Sequence, residues 1–246
     1  LGDVYKRQNI SYLTDTGVSL HNYEPSAEDI KKIKDSDLFL YLGSHSDKWA
    51  EKILAENPDL KVIKLMDVLE DRILEEELKE GMEDHHDHDH DHNHDEHDHD
   101  DDDHDHDHEG HDDHDHDHHH EDEHIWLSIK NAQEICKAIS EKLSEIDSNN
   151  KFLYEKNLNN YLQKLNELDN EYTKEINSSK DKTLIFADRF PFRYLTEDYD
   201  LDYYAAFTGC SADAEASFDT IVFLVKKLDE LNINSVFTPV SYTHLT

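Results

Sequence analysis

Residues 25–65 read PSAEDIKKIKDSDLFLYLGSHSDKWAEKILAENPDLKVIKL, and the order of patterns in this stretch decides the fold. Ser26 offers an N-cap hydroxyl, and Asp29 stands three residues on, where a capping-box carboxylate belongs, so a short helix is expected over 27–34. Residues 37–43 (DLFLYLG) form an apolar run closed by glycine, which reads as a buried strand. Residues 47–56 put Trp49, Ile53 and Leu54 on one helical face, and 60–65 (LKVIKL) make a second strand. Strand and helix alternating in this way predict a parallel sheet with helices on its faces.

The same alternation returns further along. Residues 125–146 open with IWLSI and continue as a helix, with Ile135, Ala138, Ile139 and Leu143 at helical spacing. A longer helix is expected over 150–176, where Leu153, Leu158, Tyr161, Leu162, Leu165, Leu168, Tyr172 and Ile176 make an apolar stripe. Then come a strand at 183–187, a turn around Pro191, a strand at 203–207, a helix at 217–231 and a strand at 235–238. The expected fold class is α/β, with two parallel-sheet lobes joined by a long rigid helix and interrupted by a disordered His/Asp-rich insert. The expected division is an N-terminal lobe over 9–82, the insert over 83–123, the end of the first lobe over 124–148, the linking helix over 149–178 and a truncated C-terminal lobe over 179–238.

The charge identifies the insert. The chain has 60 Asp+Glu against 24 Lys+Arg, a net −36 over 246 residues. Residues 83–123 hold 17 His and 22 acids, broken by Asn93 and Gly110 alone, and without them the balance is −14. This acidity excludes a protein that neutralises nucleic-acid phosphates with clustered Lys and Arg, while the patterned flanks exclude a fully disordered chain. Cys136 and Cys210 are too few for a disulfide framework. Cys136 falls in a helical pattern and reads as a small apolar residue. No run of about 18 apolar residues occurs, so no membrane span is expected. The two ends, 1–8 and 239–246, read as poor continuations of their neighbours, so the chain is expected to be a fragment with its signal segment absent.

Imidazole binds zinc, copper, nickel and iron, and carboxylates add charge and oxygen donors. The tract supplies His85, His86, His88, His90, His92, His94, His97, His99, His104, His106, His108, His111, His114, His116, His118, His119 and His120 as interchangeable ligands. The bland alternatives are a solvated acidic stretch or an affinity tag. The internal position and the intermixed acid favour transition-metal capture at many near-equivalent sites. Outside the tract, His21 lies in a loop before a helix start, where a lone histidine is usually a surface residue. His124 directly precedes Ile125-Trp126, where apolar sequence resumes. Two histidines from different loops of one lobe supply half of a tetrahedral zinc site.

Residues 17–54, GVSLHNYEPSAEDIKKIKDSDLFLYLGSHSDKWAEKIL, resemble the first lobe of the zinc- and manganese-specific substrate-binding proteins of bacterial ABC importers. DEHIWLSIKNA, from Asp122, is similar to their D-P-H-I-W-L motif with Glu123 in the proline place, and a His/Asp-rich insert before that motif marks the zinc members. The resemblance covers residues 16–238. It implies two α/β lobes joined by one long helix, with a metal ion between them, and it matches His21 and His124 to the first two ligands. The third ligand is normally a His in an H-x-A-F-x-Y turn. Aligning Phe192 and Tyr194 puts Arg189 at that place, and a guanidinium does not ligate metal; Asp188 is the nearest substitute. The fourth, a carboxylate beyond the strand near 236–238, is expected to be missing. A weak echo of Gly17-Val18-Ser19 in Gly209-Cys210-Ser211 puts Cys210 in a loop mirroring that of His21, as an inert thiol or a thiolate ligand.

The resulting expectation is a non-enzymatic extracytoplasmic receptor, a cell-surface lipoprotein or a periplasmic protein. It captures Zn²⁺ and delivers it to the permease of an ABC-type importer. Mn²⁺, which prefers carboxylates to imidazoles, is the less favoured cargo. A metal buffer or chaperone without a transporter is the alternative from another class. A zinc hydrolase would need a motif such as H-E-x-x-H, and the chain has none.

Overall fold

The computed structural model describes residues 9–13, 23–82, 121–209 and 216–238. Helix α1 (Ala27–Lys34) begins at Ser26, whose hydroxyl accepts the Asp29 N–H at 3.2 Å while the Asp29 carboxylate accepts the Ser26 N–H at 3.1 Å. The expected capping box is present. Strand β1 (Phe39–Tyr41) pairs in parallel with β2 (Val62–Lys64), and α2 (Trp49–Glu56) makes the crossover. Ile33, Phe39, Ala50 and Ile53 bury the interface between this sheet and its helices. Both strands are shorter than the apolar runs that announce them. The Leu42 carbonyl turns to the N–H of Met66 at 2.9 Å, opening the short helix α3 (Leu65–Val68) instead of extending the ladder.

Helix α4 (Ile129–Ile146) starts at Ser128, whose hydroxyl accepts the Asn131 N–H at 3.0 Å. Helix α5 (Lys151–Ser178) has 28 residues, about 42 Å at 1.5 Å per residue. Of the eight apolar residues in its expected stripe, Leu165 is buried, packed with Ile129 and Tyr199, whereas Tyr161, Leu168 and Tyr172 stay exposed. The long helix thus rests on its neighbours along one seam. No helix among the described residues is long and apolar enough to cross a membrane.

In the second sheet β3 (Thr183–Phe190) runs parallel to β4 (Asp202–Thr208), and Phe237 adds a parallel bridge to Phe186 where a full strand was expected. The register slips between Phe186 and Arg189, so Ala187 and Asp188 sit on a bulge. Helix α6 (Arg193–Tyr199) occupies the region expected to be a turn around Pro191 and the start of the next connection. Helix α7 (Phe218–Leu231), capped by Ser217, covers one face of the sheet, with its Leu224 packed on Ile185, Ala206 and Phe207. On the other face lie Phe186, Phe190, Tyr203 and Ala205, with Met82 packed against them.

The fold is the expected α/β class with two small parallel sheets and a long helix, and the lobes touch directly as well. Asp198 of α6 pairs with Arg72 at 3.3 Å and accepts from the Ser128 hydroxyl, and Tyr194 packs among Met66, Leu69, Ile125 and Ile135. One boundary needs correction. Residues 83–120 of the expected insert lie outside the described residues, but Glu121, Asp122 and Glu123 belong to the fold. Glu121 bridges antiparallel to Glu75, Asp122 is 2 % exposed, and Glu123 accepts from the Ser46 hydroxyl at 2.7 Å.

Candidate metal centre

The loops leaving the carboxyl ends of the strands converge on residues 121–124, the place where parallel α/β sheets bind ligands. From the first sheet, Gly43 turns the chain at φ +88 and gives its N–H to the Asp47 carboxylate at 3.0 Å. Burial, partly offset by hydrogen bonds from the backbone of Gly43 and its neighbours, raises the Asp47 carboxyl. That turn presents Ser46, whose N–H and hydroxyl both bond to Glu123. From the second sheet, Phe190, Thr208 and Gly209 line a cavity together with Asp122, Glu76, Glu77, Arg193 and Tyr203. Tyr203 donates to Glu77 at 3.2 Å and stacks on Phe190 at 3.6 Å. Arg193 lies 3.5 Å from Glu77, so one cation balances part of an acidic lining.

His124 follows directly on these residues, 4 % exposed, with its ring 5.6 Å from that of Trp126. Its backbone N–H donates to Asp122 Oδ1 at 2.8 Å, and its Nδ1 lies 2.9 Å from the same oxygen. An ionised carboxylate only accepts, so Nδ1 carries the proton and the ring lone pair is on Nε2. A carboxylate that fixes the tautomer and raises the basicity of the other nitrogen is the usual support of a metal-ligating imidazole. Asp122 is itself held by its backbone: its N–H donates to the Leu74 carbonyl at 2.8 Å, and its carbonyl accepts from the Tyr194 hydroxyl at 2.8 Å.

The other expected site residues fare differently. His21, Cys210 and the histidines of the tract from His85 to His120 lie outside the described residues. Asp188 sits on the β3 bulge, where its carboxylate accepts the Arg189 N–H at 2.8 Å and lies 3.8 Å from the Arg189 guanidinium. Among the described residues no three His, Cys, Asp or Glu side chains are gathered as metal ligands. Cys136 is half-buried on α4, and burial pushes its thiol up. Sequence reasoning missed Asp122, counted there as part of the tract. The available signals were its place at the head of the DEHIWL motif and two residues before a histidine that opens an apolar segment.

The chain is 31% identical over 233 residues to the zinc-binding lipoprotein AdcA of Streptococcus pneumoniae, which covers 93% of this chain and 40% of AdcA. It is 28% identical over 232 residues to the manganese ABC transporter substrate-binding lipoprotein PsaA of Streptococcus mitis, covering 90% of this chain and 62% of PsaA. The chain therefore spans less than two thirds of either relative. Its fold superposes on the crystal structure of Zn(II)-bound AdcA from Streptococcus pneumoniae with a TM-score of 0.66 at 25% identity, over 96% of this chain and 42% of that one. The model of the family described as zinc-uptake complex component A, periplasmic, matches residues 4–106 and 99–244. A buried, carboxylate-held histidine where two parallel sheets meet, on a chain that this model matches almost from end to end, places the protein in the zinc-uptake component A family.

Proposed function

We propose that this chain is the metal-holding part of an extracytoplasmic receptor that captures Zn²⁺ and hands it to an ABC-type importer, acting as a binding protein and not as an enzyme. The observation that carries the reading is the Asp122–His124 pair. A buried imidazole with its Nδ1 proton engaged presents Nε2 as a preorganised zinc donor. His124 and His21 are the imidazole ligands of this reading, and Asp188 is the candidate carboxylate from the second lobe. Its neighbour Arg189 draws on the same carboxylate, so Asp188 is the weakest of the three donors. The working division is a first lobe over 9–82 and 121–148, a metal-capture tract over 83–120, a linking helix over 149–178 and a second lobe over 179–238.

The histidines of the tract and the two imidazoles favour zinc, whereas the likeness to PsaA keeps manganese as a second reading. Both are separated by one experiment. In a chain whose residues 83–120 are replaced by a short Gly/Ser linker, titration calorimetry should find one tight zinc site that manganese displaces poorly. No site at all, or a site that prefers manganese, overturns the zinc reading. Capture of the cognate permease by zinc-loaded protein tests the delivery step, and a buffer protein would fail it.

A further inference from the structure

Tyr194 belongs to the first turn of α6, between the two strands of the second sheet, yet its hydroxyl serves the other lobe. It donates to the Asp122 carbonyl at 2.8 Å and accepts the Leu74 N–H at 3.2 Å. The side chain is 3 % exposed among Met66, Leu69, Ile125 and Ile135, all residues preceding α5. Leu74 and Asp122 face each other next to the Glu75–Glu121 bridge and are joined by the Asp122 N–H to Leu74 carbonyl bond. One hydroxyl therefore ties down both strands of this pairing, at the position next to the bridge. Asp122 is also the residue whose carboxylate holds His124 at two points. The chain of contacts runs from α6 to Asp122 and from Asp122 to the imidazole.

We propose that Tyr194 is a positioning residue of the metal site, a hydroxyl through which the second lobe fixes Asp122 and, through Asp122, the orientation and tautomer of His124. The proposal rests on the reading of His124 as a zinc ligand and adds a control to it. Movement of α6 away from residues 74 and 122 breaks both hydrogen bonds, lets Asp122 turn and loosens the imidazole. Release of the ion is then coupled to the position of the second lobe without that lobe having to supply a ligand. Removing an outer partner of this kind usually weakens metal binding by 10- to 100-fold.

The test uses the full chain labelled with ¹⁵N-histidine and compares Tyr194→Phe with Tyr199→Phe. Tyr199 is a buried tyrosine of the same helix whose hydroxyl bonds to Asp169, so its variant measures the loss of a hydroxyl away from the site. Two readouts are taken. Without metal, the ring-nitrogen shifts of His124, assigned by their loss in His124→Ala, should report the Nδ1–H form in the wild type and a mixture of tautomers in Tyr194→Phe. With zinc, the chelator-extraction phase that disappears in His124→Ala should speed up about tenfold in Tyr194→Phe. Tyr199→Phe should keep wild-type values in both. A Tyr194→Phe protein that matches Tyr199→Phe in both readouts overturns the proposal. If no extraction phase depends on His124, the zinc reading falls, and the metal-free shifts still decide the role of Tyr194. Should Tyr194→Phe not fold, Asp198→Asn loosens α6 from Arg72 and Lys130, and it must displace the same His124 signals or the proposal fails.

Discussion

Asp122 and His124 show how a carboxylate acquires a role that its neighbours in sequence lack. Both lie at the end of a tract in which acids and histidines alternate, yet Asp122 is 2 % exposed and bonded to one particular ring. A buried carboxylate needs such partners, because burying one unpaired is costly. Replacing Asp122 by Asn keeps the shape but removes the charge that fixes the Nδ1 proton. Asp122→Asn should weaken the cleft zinc site by about 10- to 100-fold, and His124→Ala should weaken it more, both read by competition titration in the linker-replaced chain. Equal affinity in the wild type and Asp122→Asn would show that the tautomer does not matter to binding. His124 was legible in the sequence because apolar residues resume directly after it. Asp122 was legible as the first residue of a motif but not as the partner of His124, since composition weighs every acid of a tract alike and burial is what separates this one from the rest. Asp188 was hard to place for another reason: the β3 bulge adds a residue, and strand alternation read from sequence carries no sign of that shift.

Helix α1 was read correctly because its stop and start signals are local: a capping box needs two side chains three residues apart and nothing from the rest of the fold. The Ser26 hydroxyl and its backbone N–H hold the Asp29 carboxyl down, to about 2 from its ordinary 3.8. A carboxyl held low stabilises the fold above its unfolded value and loses that effect as the pH falls through the folded one. Asp29→Asn should therefore lower Tm at pH 6, and the gap to the wild type should close between pH 4 and pH 2. Ser26→Ala should cost about 1 kcal/mol at neutral pH, measured by urea unfolding. The elements that eluded the sequence, α3 and α6, have four and seven residues, too few for a helical period to declare itself. The tract's end eluded it for the opposite reason, an excess of pattern. Two deletions expose the difference. Replacing 83–120 by a linker should leave cooperative unfolding intact, whereas extending the deletion through 123 removes the bonds of Asp122 to Leu74 and Tyr194 and of Glu123 to Ser46. Thermal unfolding should show the longer deletion clearly less stable, and equal stabilities would return Glu121–Glu123 to the tract.

On the proposed reading, the molecule as a whole combines a loose metal affinity in the tract with a tight one at His124, and acid releases the loosely held ions first. Imidazole must be neutral to ligate, with a reference pKa of about 6.5, so ions held by the tract should leave between about pH 7 and pH 5. Metal stoichiometry followed by equilibrium dialysis should fall by several ions over that range in the full chain and change little in the linker-replaced one. A flat profile would assign the tract's ions to its carboxylates. The α/β architecture and the two-sheet layout were legible from alternating patterns, but the contact of α6 with residues 72–74 and 122 was not, because no periodicity encodes which lobe a helix will touch. The pairing of Glu75 with Glu121 adds a last consequence. It holds the residues on either side of the 45-residue segment from 76 to 120 side by side, three residues before His124. At about 3.5 Å per residue, no histidine between them can stray farther than roughly 80 Å from that anchor. One ion confined to a sphere of that radius is present at about 1 mM, the range reached by tethered ligands generally. Once a single ion has been picked up, refilling of the centre becomes an intramolecular event, and its rate no longer follows the zinc content of the medium.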